Sequence, residues 1–133
     1  MSELDISPKK SIRLLLVDDE EGYVNVLANR LSKRHFSVTK TLTGESAIRL
    51  LRKEDFDVAV LDLKMENMDG IEVLKIFKLM VPEMPVIMLT GHGSEEAAKE
   101  GIASGAFDYL SKPCDLDVLI DKINKAAVSK NVN

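Results

Sequence analysis

A single cysteine, Cys114, is present in the chain. No intrachain disulfide can therefore form, and a reducing, cytoplasmic setting is expected. Basic residues are outnumbered: 18 Lys and Arg stand against 22 Asp and Glu, a net charge of -4. That balance argues against direct nucleic-acid binding, which needs a basic face to displace counterions. Nowhere do apolar residues run to the ~18 that a membrane span requires, and Met1 to Lys10 carries no stretch of signal-peptide length. Internal repeats and low-complexity segments are also missing. What remains is 133 residues, 45% apolar and 30% charged, the size and balance of one globular domain with a real core.

The polar segment Met1 to Lys10 has neither helical nor strand period and is expected to be a mobile tail (1–10), followed by a folded domain over 11–129 and a short C-terminal tail, 130–133. Inside the domain two patterns alternate. Short runs that are apolar on both faces occur at Ile12 to Val17, Val58 to Leu63 and Val86 to Thr90, as suits central strands of a parallel sheet covered by helices on each side. Phe36 to Thr41 alternates instead, and Phe107 to Leu110 carries a charge, so both read as edge strands. Between them, Val24, Leu27, Ala28 and Leu31 recur with helical spacing, as do Leu116, Leu119, Ile120 and Ile123 behind an Asp115 N-cap. Ala47, Leu50 and Leu51 follow Thr43, and Leu74 and Phe77 follow Asp69, in the same way. Ser94 to Ser104 is alanine-rich with a weak apolar stripe, which predicts the least firmly held helix. The result is an α/β chain of right-handed crossovers, (βα)5. With strands 2 and 5 at the edges its order is 2-1-3-4-5, a flavodoxin-like doubly wound sheet with its ligand site beyond the carboxyl ends of strands 1 and 3.

That topology gives meaning to the stretch RLLLVDDEEG, Arg13 to Gly22, where four apolar residues meet four acids. Asp18 and Asp19 would lie just past strand 1, Asp62 near the end of strand 3, Thr90 at the end of strand 4 and Lys112 after strand 5. Clustered carboxylates repel, and one would take up a proton unless a cation were present. A hard divalent ion with oxygen ligands, Mg2+ or Mn2+, relieves the repulsion and leaves room for a phosphate. Nucleophile, metal and a cationic stabiliser are together what transfer of a phosphoryl group to a carboxylate requires.

The motifs VDDE (Val17 to Glu20), LDLKMENMDG (Leu61 to Gly70), LTGHG (Leu89 to Gly93) and FDYLSKP (Phe107 to Pro113), in this order, resemble the receiver domain of two-component response regulators, including the chemotaxis regulators, over about Ile12 to Val128. The resemblance implies that Asp62 is the phosphoacceptor. Asp19 and Asp62 would bind Mg2+ directly with the backbone carbonyl of Lys64, and Asp18 would act through a water. Thr90 and Lys112 would contact the phosphoryl oxygens, Thr90 and Tyr109 would form the switch, and Pro113 would be the cis proline. A histidine kinase would be the donor, and the output domain or partner protein is left open. The chain departs from the family where Met65 is followed by Glu66 and not proline. That removes a φ restraint and adds a charge, which bears on the acceptor loop and its kinetics but not on the acceptor.

Other residues have plainer readings. Glu20 and Glu21 suit the first turn of a helix, Asp69 with Gly70 a helix cap and turn, and Gly44 a helix start. His92 and the Lys64 side chain fit a solvated loop, with a share in governing water at the phosphoryl group as the sharper alternative. Cys114 reads as a packing thiol, and Met65, Met68, Met80, Met84 and Met88 as core and loop fillers. Two other functions compete with a phosphorylation-controlled binding module. A Mg2+-dependent aspartyl phosphohydrolase usually has a second aspartate two residues after the first, where this chain has Lys64, and the chain has no cap to enclose a substrate. Slow self-dephosphorylation is expected, turnover of an external substrate is not. A phosphorylation-independent scaffold would tolerate loss of Asp62 or Lys112, and both are present. After phosphorylation the fourth helix, fifth strand and fifth helix are the expected partner or homodimer surface. The chain reads either as a stand-alone receiver or as one domain of a larger regulator, with the second slightly favoured.

Overall fold

The computed structural model describes residues 11–65, 69–91 and 95–130. The expected tail at 1–10, Glu66, Met68, His92, Ser94 and residues 131–133 lie outside the described residues. Five strands and five helices alternate: β1 (Arg13–Val17), α1 (Glu21–Ser32), β2 (Ser37–Thr41), α2 (Gly44–Lys53), β3 (Val58–Asp62), α3 (Gly70–Met80), β4 (Val86–Thr90), α4 (Glu95–Ala103), β5 (Asp108–Ser111) and α5 (Leu116–Lys130). The sheet is parallel throughout, with the order β2-β1-β3-β4-β5. Each strand read from the sequence is found, with ends displaced by at most one residue.

Alternation along the strands divides the core. Leu14 and Leu16 of β1, Val58 and Val60 of β3, and Ile87 and Leu89 of β4 pack with Val24, Leu27, Ala28 and Leu31 of α1 and with Leu119 and Ile123 of α5. Their neighbours Leu15, Val17, Ala59, Leu61, Val86 and Met88 pack on the other face against Ala47 and Leu51 of α2 and Ile71, Leu74 and Phe77 of α3. Covering both faces buries every residue of β3 and β4. At ~25 cal/mol per Å2 of apolar surface, each fully buried leucine or isoleucine contributes ~1.5–3 kcal/mol toward folding. β5 alternates between half-buried and exposed, as an edge strand does.

Local chemistry sets the helix starts. The Thr43 hydroxyl accepts from Ser46 N at 3.0 Å, Asp69 Oδ1 from Ile71 N at 3.0 Å and Asp115 Oδ1 from Asp117 N at 2.9 Å, each satisfying an otherwise unpaired helical N–H. α4 is shorter, and Ala98 and Gly101 are its buried residues. A Cβ at Gly101 would stand 2.0 Å from Met88 Sδ, so the missing side chain lets α4 approach β4.

Candidate functional site

The carboxyl ends of the parallel strands are brought to one rim by register. Val17 pairs with Leu61, Asp62 with Leu89 and Thr90 with Ser111. Asp18, immediately after β1, is fully buried, and Asp62 and Thr90 are 3% and 2% exposed. Lys112 is tied beside Thr90 by its backbone N–H, which donates to Thr90 O at 2.7 Å. The peptide between Lys112 and Pro113 is cis.

Lys112 Nζ lies 2.6 Å from Asp18 Oδ2, 3.0 Å from Glu20 Oε1 and 3.6 Å from Asp62 Oδ2. Asp18 Oδ2 is buried, and its close partner is this ammonium. Asp18 Oδ1 accepts from Glu20 N at 2.9 Å, which turns the chain out of β1 and into α1. On the other side Lys64 N approaches Asp62 Oδ1 at 3.4 Å. The Thr90 hydroxyl donates to Leu110 O at 3.4 Å, while Tyr109 is 40% exposed.

Burial and charge crowding both act on the ionisation of the site. Burial pushes the Asp62 carboxyl up to about 6, with the Asp18 carboxylate adding to the rise and Lys112 opposing it. Burial alone would lower the Lys112 ammonium, but its bonds to Asp18 and Glu20 outweigh that and raise it. One carboxylate oxygen from each of Asp18, Glu20 and Asp62 lies within 4.8 Å of the others. These are hard oxygen donors crowded together at one rim, and they suit Mg2+ in place of a softer metal.

Asp18, Asp62, Thr90 and Lys112 thus meet as the sequence indicated, with Lys64 adjoining them. Asp19 lies next to the cluster and is half-buried. Glu20, read from sequence as a helix-dipole acid, has its carboxylate on Lys112. Tyr23 was not singled out at all, yet its ring faces the Lys112 ammonium at 4.6 Å from the centroid. The signal for both was their place within the first helical turn after the acidic pair. Asp69 and Gly70 form the cap and turn expected of them. Gly70 N donates to Leu63 O at 3.1 Å, and an isolated bridge joins Lys64 to Asp69, so the segment after Asp62 is stapled to the start of α3.

The family model for the response regulator receiver domain matches residues 14–124. The transcriptional regulatory protein GlrR of Escherichia coli is 38% identical over 117 residues, covering 88% of this chain but 26% of that protein. The chain thus spans about a quarter of the length of the curated relatives it matches. Among solved structures, the receiver domain of the Francisella response regulator 1452 superimposes with a TM-score of 0.82 at 31% identity, covering 89% of this chain and 98% of that one. The receiver domain of NtrX from Brucella abortus gives 0.83 at 31%, covering 86% and 98%. The fold, the assembled acidic rim and these matches together place the chain in the response regulator receiver domain family of two-component systems.

Proposed function

We propose that Asp62 is the phosphoryl acceptor and that a histidine kinase is the donor. One observation carries the reading: a buried carboxylate at the end of β3 is faced by a second buried carboxylate and by an ammonium 3.6 Å away. A carboxylate oxygen of Asp62 attacks the phosphorus of a phosphohistidine. The P–O bond forms, the P–N bond breaks, and the imidazole nitrogen leaves with the electron pair. Asp19, Asp62 and the Lys64 carbonyl would hold Mg2+, with Asp18 contributing through a water. Bound there, the ion would neutralise carboxylate and phosphoryl charge. Lys112 and Thr90 donate to the phosphoryl oxygens, bonds that are charge-assisted and so stronger than those they leave. Water entering the same site hydrolyses the acyl phosphate slowly. Incubation with acetyl phosphate and Mg2+ should add the mass of one phosphoryl group. Asp62→Asn should abolish the addition, and an adduct persisting in that variant would overturn the assignment.

The signal leaves through Thr90 and Tyr109. When the Thr90 hydroxyl turns from Leu110 O to the phosphoryl group, the space it vacates admits the Tyr109 ring, which moves from exposed to buried. The surface so altered comprises α4, β5 and α5, where Ile102, Phe107 and Val118 are also exposed. This face makes the contact with a partner or with a second copy of the chain. The output is transcriptional regulation if the chain is used as in its relatives named as transcriptional regulatory proteins, and the setting is cytoplasmic. No described helix is long and apolar enough to cross a membrane.

A further inference from the structure

Lys112 brings a positive charge to the site on a stem of four methylenes, whose freedom must be restricted if the ammonium is to meet a phosphoryl oxygen. Three carboxylates draw it: Asp18, Glu20 and Asp62. An aromatic face also receives it, Tyr23 on the first turns of α1, 4.6 Å from Nζ to ring centroid. We propose that Tyr23 is a positioning residue for phosphoryl acceptance, its ring face holding the Lys112 ammonium within reach of Asp62. The inference rests on Asp62 being the acceptor.

The chemistry of an aromatic platform suits this task. A ring quadrupole attracts a cation without a formal charge and without the fixed direction of a hydrogen bond. The ammonium can therefore slide from Asp18 toward Asp62 while staying over the ring, which a carboxylate in the same place would not permit. Tyr23 is itself held. It is half-buried, packs against the same core cluster as Cys114, two residues beyond Lys112, and lines with Cys114, Leu116 and Leu119 a cavity of about 110 Å3 between α1 and α5. The segment that carries Lys112 and the ring that receives it are thereby joined outside the acidic cluster. Lys112 is only 15% exposed, so its ammonium is partly desolvated, the condition in which a cation–π contact is strongest.

Tyr23→Phe keeps the ring and loses the hydroxyl; Tyr23→Leu keeps apolar bulk and loses the ring. With acetyl phosphate as donor and saturating Mg2+, the maximal rate of phosphorylation should fall ~3- to 10-fold in Tyr23→Leu, remain within about twofold in Tyr23→Phe, and show an unchanged Mg2+ affinity in both. NMR should show ring-current-shifted Lys112 side-chain resonances, and cross-relaxation with the Tyr23 ring protons, in the wild type and in Tyr23→Phe. Equal rates in all three proteins would overturn the proposal, as would the absence of Lys112–Tyr23 cross-relaxation in the wild type, which needs no variant to fold. Failure of the acceptor assignment has a different signature: phosphorylation surviving Asp62→Asn.

Discussion

Lys112 Nζ stands a full ångström closer to Asp18 than to Asp62, 2.6 against 3.6 Å. The ammonium is thus engaged with the carboxylate that is not the proposed acceptor, and Asp62 is left as the more exposed nucleophile to any incoming phosphorus. A phosphoryl group on Asp62 adds negative charge on that side. We expect it to draw Lys112 off Asp18, and beryllofluoride with Mg2+ should move the Lys112 side-chain resonances. A Lys112 spectrum indifferent to beryllofluoride would contradict this.

Crowding at the rim makes the site costly to stability when no metal is present. The Asp62 carboxyl is raised to about 6 by burial and by Asp18. Between pH ~4 and ~6 the folded state holds a proton that the unfolded state has released, so stability falls as pH rises through that window. Asp62→Asn should therefore stabilise the metal-free protein by about 1–3 kcal/mol at pH 7, and the gain should vanish below pH ~4. Mg2+ should raise the melting temperature of the wild type much more than that of the variant. Denaturant titrations in EDTA and in Mg2+ test both statements.

Gly70 is required by a close approach of backbone to backbone. A Cβ there would stand 2.4 Å from Leu63 Cα and 2.6 Å from Leu63 O. Gly70→Ala should cost about 1–3 kcal/mol by forcing the acceptor segment away from α3, and it should slow phosphorylation as well. Gly22, in α1, has nothing within 4 Å of a Cβ. Gly22→Ala should instead stabilise by roughly 0.5–1 kcal/mol. Thermal melts of the two variants, run side by side, separate a packing requirement from a propensity effect.

Lys122 ties α5 to the edge strand by donating to Asp108 Oδ2 at 2.6 Å. Burial raises the Asp108 carboxyl, but this bond and the Tyr109 N–H outweigh it and hold it below its usual value. A carboxylate depressed on folding contributes stability that is present above its unfolded value and lost as pH falls. Asp108→Asn should cost about 0.5–1 kcal/mol at pH 7, with the deficit closing below pH ~4. A constant deficit across that range would show that the charge is not its source.

The sheet was legible in the sequence because its central strands leave no alternative. Residues 58–62 and 86–90 are apolar or small on both faces up to a polar end, and helices of clear period separate them. Strand ends differed by a residue because the residue pattern runs on past the paired ladder. Ile12, for instance, extends the apolar run one residue before β1 begins, where its carbonyl accepts from Ser37 N at 2.9 Å. Asp18, Asp62, Thr90 and Lys112 were legible as a group because parallel register alone brings strand ends together. Glu20 and Tyr23 were not. Their nearness to Lys112 depends on the rotational phase of α1 and on side-chain rotamers, and neither quantity is written in a hydrophobic pattern.

The central claim is that the phosphoryl group resides on one carboxylate, and borohydride tests it most directly. Reduction of an aspartyl phosphate converts that residue to homoserine, which peptide mass spectrometry can locate. After treatment with acetyl phosphate and Mg2+, homoserine should be found at position 62 and should require Mg2+ for its formation. Homoserine at position 18 or 19 in place of 62, or at position 62 without added divalent metal, would contradict the account.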